Sequence, residues 1–150
     1  MLRKVLTPHP KYSEQERKIV YSALVFVAEL LVQNSVNVII DATGNRRSHR
    51  DAARRGIGSF AEVYLKCPLN VCMSREKQRK ETFGAPSRIY MKGKSGSSRT
   101  VPGLGVPYEE PSSPELVLDT SKLSPQESAQ RIVRLIDAKF GVRAATASVL

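Results

Sequence analysis

Cysteine and histidine are scarce in this sequence: Cys67, Cys72, His9 and His49 are all there are. A zinc site needs a spaced set of such ligands, so no metal-ligating residue is read here. A disulfide framework has too few cysteines to draw on, and the two thiols read as small, partly buried side chains in a reducing cytoplasm. Long uninterrupted apolar runs are missing too. The most apolar stretch, Ile19 to Ile40, contains Glu29, Gln33, Asn34 and Asn37, each costly in a bilayer. Met1 to Pro10 is basic, but no apolar core with a small-residue cleavage site follows it,. No membrane partner is expected, and the expected location is cytoplasmic. No internal repeat is visible.

Acidic residues are outnumbered. The chain has 14 against 24 basic ones, a formal net charge of +10. That balance favours anionic partners such as nucleotide phosphates, sulfate esters, nucleic acid or an acidic surface, and says nothing of fold. Nucleic acid has little specific support. The one long basic stretch, Lys77 to Arg99, carries only Phe83 and Tyr90 as aromatics and matches no RNA-binding motif.

The 150 residues suffice for one domain with a single core,. Ser13 and Glu16 form a capping-box pattern, which predicts a helix from Glu14 to about Gln33. Its later half is apolar almost all round, as in a helix buried on more than one side. Val36 to Ile40 is a β-branched run suited to a buried parallel strand, delivering Asp41 at its carboxyl end. A basic helix follows, roughly Ser48 to Arg55, and then a strand over Phe60 to Leu65. Pro68 opens a helix running to about Lys80. Glu81 to Pro114 shows no strong period and is rich in Gly, Pro, Ser, Lys and Arg, as functional connections often are. Leu116 to Leu118 reads as a third strand. Ser124-Pro-Gln-Glu127 is a capping box with Pro at the first helical position, and Gly141 is the natural stop.

This alternation predicts an α/β fold of three layers, a parallel sheet with flanking helices. Ligands then belong at the carboxyl ends of the strands, where Asp41 to Arg47, Lys66 to Pro68 and the residues after Leu118 lie. Asp41 is a candidate for holding Mg²⁺ through water or orienting an acceptor, or else for capping the basic helix. Arg46, Arg47 and Arg50 read either as a phosphate-facing cluster or as a solvated helix face. Tyr108 and Glu109 read as fixing their loop by packing and hydrogen bonding.

Four segments resemble the adenylylsulfate kinases. Leu69-Asn-Val-Cys-Met-Ser-Arg-Glu76 is similar to the family's "PLEVCxxRD", and Arg88-Ile-Tyr-Met-Lys92 to its "GLYxKA". Val106-Pro-Tyr-Glu-Glu-Pro111 with Pro114-Glu-Leu-Val-Leu-Asp-Thr120 resembles "DPYExPxxPELVLDT", and Ser13 to Arg17 resembles "SxxDR". The resemblance implies a P-loop NTPase-like domain over residues 1–141, with a lid at about 81–107 and a tail at 142–150. The implied activity is ATP-dependent phosphorylation of adenylylsulfate in sulfate assimilation. It further implies ATP and Mg²⁺ as cofactors, and these site residues: Asp41 and Lys92 catalytic, Arg3, Arg17, Thr43 and Arg47 binding the substrate, and Arg75 binding the nucleotide.

The departures are specific. If Arg3 matches the arginine of the family's "DGDxxR", the fold is incomplete at the N-terminus and its phosphate-binding loop is missing. The one Gly-Lys-Ser, Gly93 to Ser95, has Arg88 where the loop's earlier glycine belongs,. A central strand would be missing as well, leaving Val36 to Ile40 and Phe60 to Leu65 with exposed edges. These residues alone are therefore expected to be inactive as a kinase. A homodimer, or a chain supplying the missing part, is the expected protein partner. Val101 stands where the family has a phenylalanine that stacks on adenine. A non-catalytic nucleotide- or polyanion-binding module, or a kinase of another small acceptor, is the alternative reading.

Overall fold

The computed structural model describes residues 2–81 and 88–141. These divide into two compact units, one drawn from Met1–Phe60 and Met73–Glu110, the other from Ala61–Cys72 and Pro111–Leu150.

The first unit is built on helices. Short α1 (Leu2–Leu6) precedes α2 (Glu14–Gln33), which packs on α3 (Arg47–Gly56). Only half of the expected capping box starts α2. The Ser13 side chain accepts the Glu16 N–H at 3.2 Å, but the Glu16 carboxylate turns back to the Lys11 and Tyr12 amides at 2.9 and 2.6 Å. Val25 and Ala28 of α2 meet Ala53 and Ile57, with Val32, Val38, Ile40 and Phe60 packed around them. The small Ala28–Ala53 pairing lets the two helices approach closely. Gly56 tightens this further, because a Cβ there would run into the Glu29 side chain.

Two expectations about this region are corrected. Helix α2 is not buried all round, since Ile19, Phe26 and Leu30 stay exposed along one face. Residues 36–40 are not a strand, although their side chains alternate as a strand's would, with Ile39 91% exposed between half-buried Val38 and Ile40. A strand is defined by its ladder, and among the described residues this run has no ladder partner.

The second unit contains the sheet. Strands β1 (Val63–Lys66) and β2 (Leu116–Asp119) pair in parallel, with Val63 opposite Leu116 and Lys66 opposite Asp119. The strand expected from Phe60 thus begins three residues later. Glu62 and Glu115 extend the pairing, with the Glu115 amide donating to the Glu62 carbonyl and the Glu62 amide to the Glu115 carboxylate at 2.7 Å. Helix α6 (Pro125–Phe140) packs on β2. Its capping box is complete, and it ends at Gly141, whose φ of 64° suits glycine at a helix end,. Among the described residues no helix is long and apolar enough to cross a membrane.

Helix α4 (Leu69–Gln78) falls where expected. Part of the lid expected over 81–107 lies at residues 82–87, outside the described residues. The rest is more regular than its composition suggests. It forms α5 (Ile89–Lys94), then a knot around Val101, whose carbonyl accepts the amides of Leu104, Gly105 and Val106. Gly105 is required in that knot, because a Cβ there would strike the Arg99 backbone.

Candidate functional site

Arg3 on α1 and Arg17 in the first turn of α2 come together. The Arg3 guanidinium lies over the Tyr12 ring, 5.1 Å from its centroid, and its Nη1 is buried without a hydrogen-bond partner. Arg17 donates from Nη2 to the Thr100 carbonyl at 2.7 Å and from Nε to the Tyr12 carbonyl at 3.4 Å. Burial lowers the Arg17 pKa, and the neighbouring Arg3 charge adds to that lowering against the opposing effect of Tyr21. Neither arginine makes an ion pair among the described residues. Two adjacent guanidinium forks, one with a buried unpaired N–H, form a place for an oxyanion.

The turn before α3 carries Thr43, and Arg47 is the first residue of the helix. Thr43 and the Arg47 side chain are exposed. Gly44 has φ +49°, donates its N–H to the Tyr21 hydroxyl at 2.7 Å, and accepts an Arg50 N–H at its carbonyl. Asn45 is only 2% exposed. Its Nδ2 reaches the Pro107 carbonyl at 3.3 Å and its Oδ1 has no partner. Arg46 stands at the N-cap of α3 and caps nothing with its own side chain. Glu109 supplies the cap instead, accepting the Arg47 N–H at Oε2 (2.7 Å) and the Arg46 guanidinium at Oε1 (2.9 Å). These bonds lower the Glu109 pKa, the Arg47 amide first among the causes, and the Glu109 hydrogen bond raises that of Arg46. The Arg46–Arg47–Arg50 cluster therefore holds the 107–110 segment, a contact that neither reading of it above includes. Glu109 does fix its loop by hydrogen bonding, as read from the sequence.

His49 stacks on Tyr21 with ring centroids 4.3 Å apart, and its Nε2 is buried without a partner. Burial lowers its pKa, the charges of Arg17, Arg46 and Arg50 lower it further, and Glu109 opposes them. A histidine held neutral in the fold but free to protonate when unfolded stabilises the protein above the ordinary histidine pKa. That contribution is lost as pH falls below about 6.5 towards the folded value. Thermal melts between about pH 8 and about pH 5.5 are therefore expected to show falling stability. His49→Phe, which keeps an aromatic ring for the stack, is expected to flatten the slope. An unchanged slope in that variant would refute the assignment.

The remaining expected residues are dispersed. Asp41 is exposed and is not the cap of α3, so the simpler of its two readings fails. Lys92 is an exposed residue of α5, and its carbonyl organises the lid by accepting the Ser98 amide at 2.9 Å. Arg75 is exposed on α4. One residue further on, Glu76 accepts the Ile89 N–H at 2.7 Å and so starts α5. Gly93 and Lys94 end α5 and Ser95 is its C-cap. A phosphate cradle needs the amides at a helix N-terminus, so this Gly-Lys-Ser is not one. Val101 is 2% exposed and packs within the lid. Among the described residues no three His, Cys, Asp or Glu cluster to hold a resident metal. A lone exposed carboxylate such as Asp41 suits a Mg²⁺ that takes its other ligands from nucleotide phosphate and water.

Sequence reasoning did not single out Asn45, Tyr21 or His49. Tyr21 lies one helical turn after Arg17, on the same face, and that spacing was the available signal.

Residues 1–119 match the model of the adenylylsulphate kinase family. The chain is 32% identical over 133 residues to the probable adenylyl-sulfate kinase of Pyrococcus abyssi, covering 89% of this chain and 71% of that protein. It is 36% identical over 130 residues to the adenylyl-sulfate kinase of Bacillus pumilus, covering 85% and 61%. Its α/β fold, with a parallel sheet and flanking helices, resembles the Mycobacterium tuberculosis APS kinase CysC, solved in complex with AMPPNP and APS. There the TM-score is 0.76 at 28% identity, over 91% of this chain and 75% of that one.

Proposed function

The chain belongs to the adenylylsulphate kinase family, and from that premise we propose that it binds adenylylsulfate and serves its ATP-dependent phosphorylation in sulfate assimilation. The observation that carries the reading is the buried, unpaired Arg3 Nη1 beside Arg17. A phosphosulfate group offers the oxyanions that such a pair of forks lacks. Thr43 on the exposed turn and Arg47 at the start of α3 are further acceptor contacts. In this reading Arg75 meets the nucleotide, while Asp41 and Lys92 serve the transfer, Lys92 by neutralising phosphate charge and Asp41 by orienting the acceptor hydroxyl. ATP is the donor, and Mg²⁺ supplies charge neutralisation on its phosphates when bound. The cytoplasm is the compartment in which such an activity belongs.

Phosphoryl transfer depends on a nest of backbone N–H groups around the donor phosphates. The Gly-Lys-Ser of these 150 residues sits at a helix C-terminus, so the phosphate loop is expected from outside them, on the same polypeptide or on another chain that carries it. The test is calorimetry with adenylylsulfate on the 150-residue chain, together with an ATP turnover assay on that chain and on a fusion carrying a relative's phosphate-loop segment. The expected result is adenylylsulfate binding by the 150-residue chain and turnover by the fusion alone. Absence of adenylylsulfate binding would overturn the reading, and turnover by the shorter chain would overturn the need for an added loop.

A further inference from the structure

The family resemblance puts substrate contacts on the turn before α3 but leaves open what holds that turn. Its own sequence does little. Arg46, at the N-cap, has no side-chain oxygen to offer the first amides of α3, so a cap for them has to come from elsewhere in the chain or from water. The segment after the lid supplies what is missing, through one residue. Besides accepting from Arg47 N and Arg46 Nη1, Glu109 donates its own N–H to the Asn45 carbonyl at 2.9 Å and accepts Arg50 Nη2 at its carbonyl at 2.6 Å. Its neighbours repeat the pattern, with Asn45 Nδ2 on the Pro107 carbonyl and Arg47 Nε on the Glu110 carbonyl at 3.2 Å. Arg46 is also drawn to Glu14 at 3.2 Å, which ties the start of α2 to the same network.

We propose that Glu109 is a positioning residue for the acceptor site, its carboxylate fixing Arg46 and the Arg47 amide where the backbone already bonds Asn45 and Arg50, and so setting how this region presents Thr43 and Arg47 to adenylylsulfate. The proposal rests on the reading that this turn contacts adenylylsulfate. The physical logic is preorganisation: a flexible arginine-rich turn would have to be ordered at the moment of binding, whereas one already bonded to a carboxylate and three carbonyls loses little freedom. Glu109 also neutralises Arg46, so the positive charge left facing outward at the start of α3 is that of Arg47.

The test compares the wild-type chain with Glu109→Ala and Glu109→Gln. Gln still accepts the Arg47 amide but no longer neutralises Arg46. Calorimetry with adenylylsulfate, run well below the melting temperature of each variant, is expected to show about a tenfold loss of affinity in Glu109→Ala and a smaller loss in Glu109→Gln. A lowered melting temperature with affinity within twofold of wild type would mean that Glu109 only supports the fold, and would overturn the proposal. If Glu109→Ala does not fold, Glu109→Gln decides on the same criterion. A wild-type chain that binds no adenylylsulfate would sink the proposed function, and the positioning claim is then read by NMR. In Glu109→Ala the Arg47 amide and Arg46 guanidinium signals, the two groups that the carboxylate holds, should shift and broaden while α3 is retained, and in Glu109→Gln those of Arg46 alone should do so. Unchanged signals would overturn it.

Discussion

Leu118→Ala is expected to destabilise the protein by about 2–5 kcal/mol, the range for leucine truncations in a packed core. Leu118 has no exposed surface at all, while its neighbour Val117 is 51% exposed. The two residues point to opposite faces of β2, as side chains one apart in a strand must. On β2 itself the Leu118 side is covered and the Val117 side is open. The second unit is small and has few other deeply buried side chains, so a void at Leu118 cannot be absorbed by a thick surrounding core. Val117→Ala removes exposed surface and is expected to cost less than about 1 kcal/mol. Urea unfolding of the two variants checks this, and equal losses would mean that β2 does not face its core through Leu118.

That contrast explains part of what could be read from the sequence. Leu116-Val-Leu-Asp119 is legible as a strand because its partner, Val63-Tyr-Leu-Lys66, is also in the chain and pairs with it in register. Residues 36–40 have stronger β-branched character yet form no strand among the described residues, because residue preference gives an extended backbone but only a neighbour gives a ladder. Helices α2 and α6 are read almost residue for residue, since their boundaries are written locally. Ser13 and Ser124 supply the caps, and Asn34 and Gly141 the ends. Helix α5 is not legible for the opposite reason. Its first residue, Ile89, bonds to Glu76 on α4, and Arg88 before it takes a left-handed backbone with φ 53°. Neither feature leaves a local pattern.

The same distinction runs through the site. Motif spacing brings out Arg3, Arg17, Thr43, Arg47 and Glu109 as single positions. It does not reveal that Arg17 reaches a carbonyl 83 residues away, or that Glu109 caps a helix that begins 62 residues earlier. Those facts belong to the fold, and they change what the residues are expected to do.

Arg17→Ala is accordingly expected to weaken adenylylsulfate binding by about 10- to 100-fold, more than any single contact at the exposed turn. A hydrogen bond to a charged group is worth about 1.5–3 kcal/mol, and every 1.4 kcal/mol or so is tenfold in affinity. Two effects combine at Arg17. In the proposed function its guanidinium serves the oxyanion beside Arg3, and in the structure its Nη2 holds the Thr100 carbonyl, fixing the lid to the first turn of α2. The truncation removes the first and unfastens the second. Arg17→Lys separates them, because it keeps a positive charge near Arg3 but loses the planar fork that serves the Thr100 and Tyr12 carbonyls together,. Its affinity should fall between those of wild type and Arg17→Ala. Hydrogen exchange at the lid amides around Thr100 should be faster than wild type in both variants, with or without ligand. Calorimetry at fixed salt measures the first quantity, and exchange mass spectrometry the second. If Arg17→Ala binds adenylylsulfate as the wild type does, Arg17 is only a structural latch, and the oxyanion site must be sought at Arg47. If affinity falls while lid exchange stays at the wild-type rate, Arg17 acts on the ligand directly and the latch contributes nothing to binding.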